Sequence, residues 1–207
     1  MTAAKLVLAT RNAHKVVELR EILADAGLEV DLIGADAFPE VPDVVENGTT
    51  FAANALLKAH ALAKATGLPA LADDSGLCVD LLGGAPGIFS ARWSGGRGDR
   101  ANVELLLAQL ADMAAEHRAA HFACAAALVL PDGRERVAEG RLSGTLRFEP
   151  VGDGGFGYDP VFEPVGLDRT LAELPAAQKN AISHRGRALQ AMVPQLRELL
   201  DAGAPDA

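Results

Sequence analysis

The chain has 207 residues, 49% of them hydrophobic and 23% charged, with a formal net charge of -9 at pH 7. That length supports one domain with a sizeable core, and the composition is globular rather than disordered. The acidic balance argues against a general nucleic-acid surface, so a polyphosphate would need local cations, a bound metal or both. The N-terminus has no charged segment leading into a long apolar one, so no signal peptide is expected. No apolar run approaches the roughly 20 residues of a membrane span. Cys78 and Cys124 stand alone in apolar segments and are expected as reduced core residues of a cytoplasmic protein.

In chain order, residues 5–9 (KLVLA) read as a short buried strand. The polar loop TRNAHK follows, then an amphipathic helix, VVELREILADAG, ending at Gly27. A buried strand that runs through a short polar loop into a helix aims backbone N–H groups and a positive dipole end at an anion. Thr10 and Asn12 add neutral donors there. Lys15 opposes the helix dipole and is better explained by a bound anion than by helix stability. An ordinary strand–helix turn with a solvated lysine is the alternative. LEVDLIG reads as a second strand, and residues 34–48, with two prolines and several acids, as a long loop. Thr49 or Thr50 caps the helix FAANALLKAHALAKAT, which Gly67 closes. On that helix Asn54 and Lys58 are four apart and share a face, which looks either into a cleft or into water. Glu46, in the acidic loop, can approach the ends of the first and third strands.

The third strand, PALAD, then meets Asp73 and Asp74. Successive side chains on a strand point to opposite faces, so both carboxylates can serve one site only where the strand has ended. One reading is an Asx-type turn, DDSG, completed by Ser75 and Gly76. The other is an all-oxygen Mg²⁺ site of Asp73 or Asp74, Glu46 and phosphate oxygens. The second is favoured, because open α/β sheets bind ligands at strand carboxyl ends, where the first loop also lies. LCVDLL reads as another short strand and residues 83–99 as a glycine-dense loop. Asp99 is expected to cap a long helix, RANVELLLAQLADMAAE. Two strand-like runs around PDG make a hairpin. The segment GGFGYDP sets Phe156 and Tyr158 among glycines, where an aromatic stacks on a base or anchors the loop. AQKNAISHRGRAL gathers Lys179, His184, Arg185 and Arg187 at the start of the last helix, with Ser183 as its cap. This is either an anion or base-edge site or a solvated helix start. The expected class is α/β with a mixed sheet, one domain spanning 1–207 with a frayed tail at 203–207.

ATRNAHKVVEL, ENGTTFAANALLKA, ALADDSGLCVDLLGGAPGIFSARW, GGFGYDPVF and KNAISHRGRAL, an ordered set spread from residue 9 to 189, resemble the inosine triphosphate pyrophosphatase family. That family hydrolyses dITP, ITP and XTP. The resemblance implies an elongated mixed β-sheet with flanking helices, two lobes around a central substrate cleft, and a homodimer. It implies that the loop Thr10, Arg11, Asn12, Ala13, His14 and Lys15 binds the triphosphate, with Thr10, Asn12 and Lys15 as its holding groups. Arg11 stands where the family often has a small residue. Lys58 would add a second cation, Glu46 and Asp74 would hold Mg²⁺, and Asp74 would take the proton of the attacking water. Ser75 would touch substrate. Phe156, Gly157, Tyr158 and Asp159 would line base and sugar, with Phe156 stacking. Lys179, His184 and Arg185 would contact the purine, Arg185 being the candidate donor to its position-6 oxygen. The implied reaction converts a nucleoside triphosphate and water to a monophosphate and pyrophosphate, clearing deaminated purines from the nucleotide pool. The implied partner is this small molecule, with neither nucleic acid nor membrane.

Overall fold

The computed structural model describes residues 4–10 and 13–201, without the side chains of 13–15 and 199–201. In chain order the elements are β1 Ala4–Leu8, α1 Ala13–Asp25, β2 Val30–Gly34, α2 Phe51–Thr66, β3 Ala70–Val79 and α3 Asp99–Gln109. They continue with β4 Ala119–Val129, β5 Glu135–Leu146, β6 Phe162–Pro164, α4 Ala176–Ile182 and α5 His184–Asp201. The strands form a six-stranded sheet in the order β2-β1-β3-β4-β5-β6. β1 runs parallel to β2 and β3, and β5 antiparallel to β6. β4 and β5 make the expected hairpin. Leu130 N–H donates to Arg134 C=O at the turn and Leu146 N–H to Arg118 C=O at the far end. The class is therefore α/β with a mixed sheet flanked by helices, as expected.

The chain divides into two compact units, one of Met1–Asp74, Cys124–Gly140 and Arg185–Ala207, the other of Ser75–Ala123 and Arg141–His184. In the first, strand alternation sorts side chains into two layers. Leu6, Leu8 and Leu71 pack with Leu19 and Leu23 of α1 and with Ala188, Leu189 and Met192 of α5. Val7, Ala70 and Ala72 face the other way, onto Ala55, Ala59, Leu62 and Ala63 of α2. Alanine on both sides of that second contact lets α2 lie close to the sheet. Thr50 Oγ1 accepts from Ala53 N–H at 3.1 Å to start α2, and Gly67 ends it at φ 66°. In the second unit, Leu77 and Val79 of β3 pack with Val103, Leu106, Phe122, Leu142 and Phe162. Both cysteines are free and buried, as expected. Among the described residues no helix is long and apolar enough to cross a membrane.

Three expectations are corrected. β3 does not stop at the acidic pair; it runs unbroken through DDSG to Val79. The stretch looks like a turn, but Gly76 serves close approach instead. A Cβ at that position would collide with Ser90 Oγ and the Gly87 carbonyl, while Ser90 Oγ accepts from Leu77 N–H at 2.9 Å. The third helix begins with Asp99 rather than being capped by it, and ends at Gln109 instead of Glu116. The Leu110 carbonyl just beyond accepts from the buried Arg118 guanidinium at 2.7 Å, which closes the helix. Lys179 lies on its own helix, α4, and Ser183 links that helix to α5.

Candidate active site

Because β3 is continuous, Asp73 and Asp74 leave it on opposite faces. Asp73 shares the Leu71 face, covered by α5, and its Oδ2 accepts from Arg185 Nε at 3.1 Å. The two side chains are only 7% and 14% exposed, so this is a buried ion pair. Desolvation opposes the charge on Arg185, but Asp73 and other nearby groups outweigh it and hold the guanidinium above its ordinary pKa. Asp73 thus pairs with Arg185.

Asp74 shares the Ala72 face, covered by α2, and meets the two residues whose spacing set them on one side of that helix. Asn54 Nδ2 donates to Asp74 Oδ2 at 3.0 Å, and Lys58 Nζ lies 3.6 Å from Asp74 Oδ1. The same ammonium donates to Glu46 Oε1 at 2.9 Å. Asn54 is wholly buried, and its Oδ1 accepts from Gly48 N–H at 2.8 Å, tying the acidic loop to the helix. The result is two carboxylates from separate elements converging on one cation. These are hard oxygen donors, and among the described residues no group of three His, Cys, Asp or Glu stands ready for a metal.

The end of β1 reaches the same neighbourhood. Leu8 pairs in register with Leu71, and Ala9 N–H donates to the Leu71 carbonyl at 2.8 Å. Thr10, Asp43 and Lys58 line a small cavity of about 100 Å³. Arg11 and Asn12 lie outside the described residues. Ala13, His14 and Lys15 form the first turn of α1, and their side chains are likewise outside them.

The second unit holds the aromatic loop. Phe156 is 65% exposed, whereas Tyr158 is 4% exposed and donates its hydroxyl to the Ser90 carbonyl at 2.9 Å. Burial, with Asp99 nearby, pushes the Tyr158 phenol well up. Tyr158 therefore anchors the loop, while the Phe156 ring stays exposed. Asp159 Oδ2 accepts from Phe156 N–H at 2.8 Å and from Lys179 Nζ at 2.5 Å. Lys179 Nζ also sits 4.4 Å from the centre of the Phe156 ring, a cation–π distance. Gly155 has φ 72°, and a Cβ there would strike the Asp159 carboxylate, so only glycine fits. Gly157 N–H donates to Asp99 Oδ2 at 2.8 Å. His184 stacks on Phe122 with ring centres 4.9 Å apart. Ser75, half-buried, is the first β3 residue of this unit.

Thr10, Glu46, Lys58, Asp74 and Arg185 thus fall in the first unit, and Ser75, Phe156, Gly157, Tyr158, Asp159, Lys179 and His184 in the second. Sequence reading did not find the link between Asp73 and Arg185, the grip of Asn54 on Gly48, or the bond from Asp99 to Gly157. The helical spacing of Asn54 and Lys58 was the one signal that pointed inward.

The family model described as the Ham1 family matches residues 6–195. The chain is 72% identical to the dITP/XTP pyrophosphatase of Streptomyces coelicolor over 197 residues, covering 95% of this chain and 98% of that relative. It is 50% identical to the dITP/XTP pyrophosphatase of Mycobacteroides abscessus, covering 96% and 98%. Among solved structures it resembles a HAM1 protein from Coxiella burnetii, with a TM-score of 0.87, 42% identity and coverage of 94% and 99%. A nucleoside-triphosphatase / dITP/XTP pyrophosphatase from Mycobacterium abscessus matches with a TM-score of 0.79, 50% identity and coverage of 93% and 100%.

Proposed function

The chain belongs to the Ham1 family, and from that premise we propose that it is a pyrophosphatase for dITP, ITP and XTP. It converts each to its monophosphate and pyrophosphate and so keeps deaminated purines out of DNA and RNA. The observation that carries the reading is the single Lys58 ammonium set between Glu46 at 2.9 Å and Asp74 at 3.6 Å. A fold that gathers two carboxylates around one point of positive charge suits a polyanion that arrives with a cation.

The donor set fits Mg²⁺, which takes one or two carboxylates and fills its remaining positions with water and substrate phosphate oxygens. Glu46 and Asp74 would hold it, and when bound it would neutralise charge on the phosphoryl oxygens. Asp74 accepts the proton of the water that attacks the α-phosphorus. Asn54 fixes this carboxylate by one oxygen, so its orientation is set before substrate arrives. Lys58 and Lys15 supply positive charge that counts most in the transition state, while Thr10 and Asn12 add neutral donors. Arg11, Ala13 and His14 complete that loop.

Phe156 offers an open ring face to the purine, and Gly157, Tyr158, Asp159 and Ser75 complete the lining on that side. Lys179, His184 and Arg185 address the base edge. A fixed donor aimed at a 6-oxo acceptor meets another donor when adenine enters, and such mismatches discriminate by about 10⁴-fold. Asp73, by holding Nε of Arg185, keeps that donor in one orientation. The enzyme acts as a single domain, a cytoplasmic homodimer. Light scattering at twice the 21.5 kDa chain mass tests the dimer.

A panel of triphosphates, incubated with Mg²⁺ and with a chelator, tests the function. Pyrophosphate is expected as the first product from dITP, ITP and XTP only when Mg²⁺ is present, with ATP and GTP spared. Orthophosphate as the first product would contradict the reading.

A further inference from the structure

An aromatic ring that is 65% exposed has little packing to fix it, so its position depends on how its backbone is held. The amides on either side of the Phe156 ring are each taken by a carboxylate. Phe156 N–H goes to Asp159, three residues on, and Gly157 N–H goes to Asp99, 58 residues away. The first bond is internal to the loop and moves with it. The second ties the loop to the first turn of α3, where a carboxylate is also favoured by the helix dipole. Space beside this tie makes it matter. Asp99, Val103 and Leu107 of α3 and Gly155, Phe156 and Gly157 of the loop line a cavity of about 580 Å³. Lys179 touches the ring but belongs to the substrate groups. Tyr158 anchors the far side of Gly157, a glycine at φ 60° with no side chain of its own to pack.

We propose that Asp99 is a positioning residue for base recognition, acting through the Gly157 amide to hold the Phe156 ring where the purine stacks. The idea rests on the reading of this loop as the purine platform. It makes Asp99 a determinant of how well the base is bound, with no part in cleaving the anhydride.

The test is a double-mutant cycle on ITP hydrolysis, with Asp99→Ala, Asp99→Asn, Phe156→Ala and the Asp99→Ala/Phe156→Ala pair. A hydrogen bond to a charged group is worth about ten-fold or more. Asp99→Ala should therefore raise the KM for ITP about ten-fold and leave kcat within about three-fold. Asp99→Asn keeps an acceptor oxygen for Gly157 N–H and should recover most of the loss. In the Phe156→Ala background, Asp99→Ala should have little further effect, because the ring it positions is gone. An unchanged KM in Asp99→Ala, or a loss that simply adds to that of Phe156→Ala, would overturn the proposal. If the wild type does not cleave ITP at all, it is the assigned function that fails.

Discussion

Asp73 and Asp74 are tolerated side by side because a continuous strand sends them to opposite faces, where each meets a different cation. Asp74, between Lys58 and Asn54, is the carboxylate assigned to chemistry. Asp74→Asn keeps the shape and still offers an oxygen to Asn54, so the fold should persist with an unchanged melting temperature. Initial rates should fall about 10²-fold or more, the range for losing a positioned general base. Rates within a few-fold of wild type would move that role elsewhere. Asp73 poses the opposite case. Its side chain is 7% exposed, and Arg185→Ala would break this buried ion pair, a defect worth about 3–5 kcal/mol. Urea unfolding should show that loss. At a temperature where the variant is folded, the ratio of kcat/KM for ITP over ATP should drop if Arg185 reads the base. An unchanged ratio would leave Arg185 with only the structural pairing. The i, i+4 spacing of Asn54 and Lys58 was legible in sequence, since helix geometry alone puts them together. The pairing of Asp73 with Arg185, 112 residues apart, was not, because only the packing of α5 on the sheet brings them close.

At the scale of elements, the sequence marked most strands and helices through periodicity, and two of its three misread places share one reason. Residue types that favour turns and caps also serve tertiary contacts. DDSG has turn composition, yet Gly76 uses its missing side chain to admit Ser90, and β3 continues. Asp99 has the chemistry of a cap, yet its acceptor serves Gly157 in a distant loop. The end of α3 depends on an equally remote group. Arg118 is 1% exposed and donates to the carbonyls of Leu110, Leu146 and Arg147 at 2.7–2.9 Å. Burial lowers its pKa, and no carboxylate is among these acceptors. It ties the end of α3 to the end of β5. Arg118→Ala would strand buried carbonyls, each costing about 1–3 kcal/mol, and should lower the urea midpoint well below that of a surface arginine variant such as Arg100→Ala. Equal midpoints would show that water replaces the guanidinium without penalty.

At the scale of the molecule, the family was legible because its motifs lie in order along nearly the whole chain, and the mixed sheet followed from strands alternating with helices before a late hairpin. The division into two units, with breaks after Asp74 and before Arg185, was not legible from composition, because no linker marks it and β3, β4 and β5 run through both. A net charge of -9 disfavours polyanions in general, so the proposed function needs local positive charge, which Lys58 supplies between Glu46 and Asp74. In the proposed reaction this cluster directs water to the α-phosphorus. Hydrolysis of ITP with Mg²⁺ in ¹⁸O-labelled water, followed by mass spectrometry of the first products, tests it directly. One ¹⁸O in IMP and unlabelled pyrophosphate are expected. Label in pyrophosphate, or IDP and orthophosphate as the first products, would contradict it.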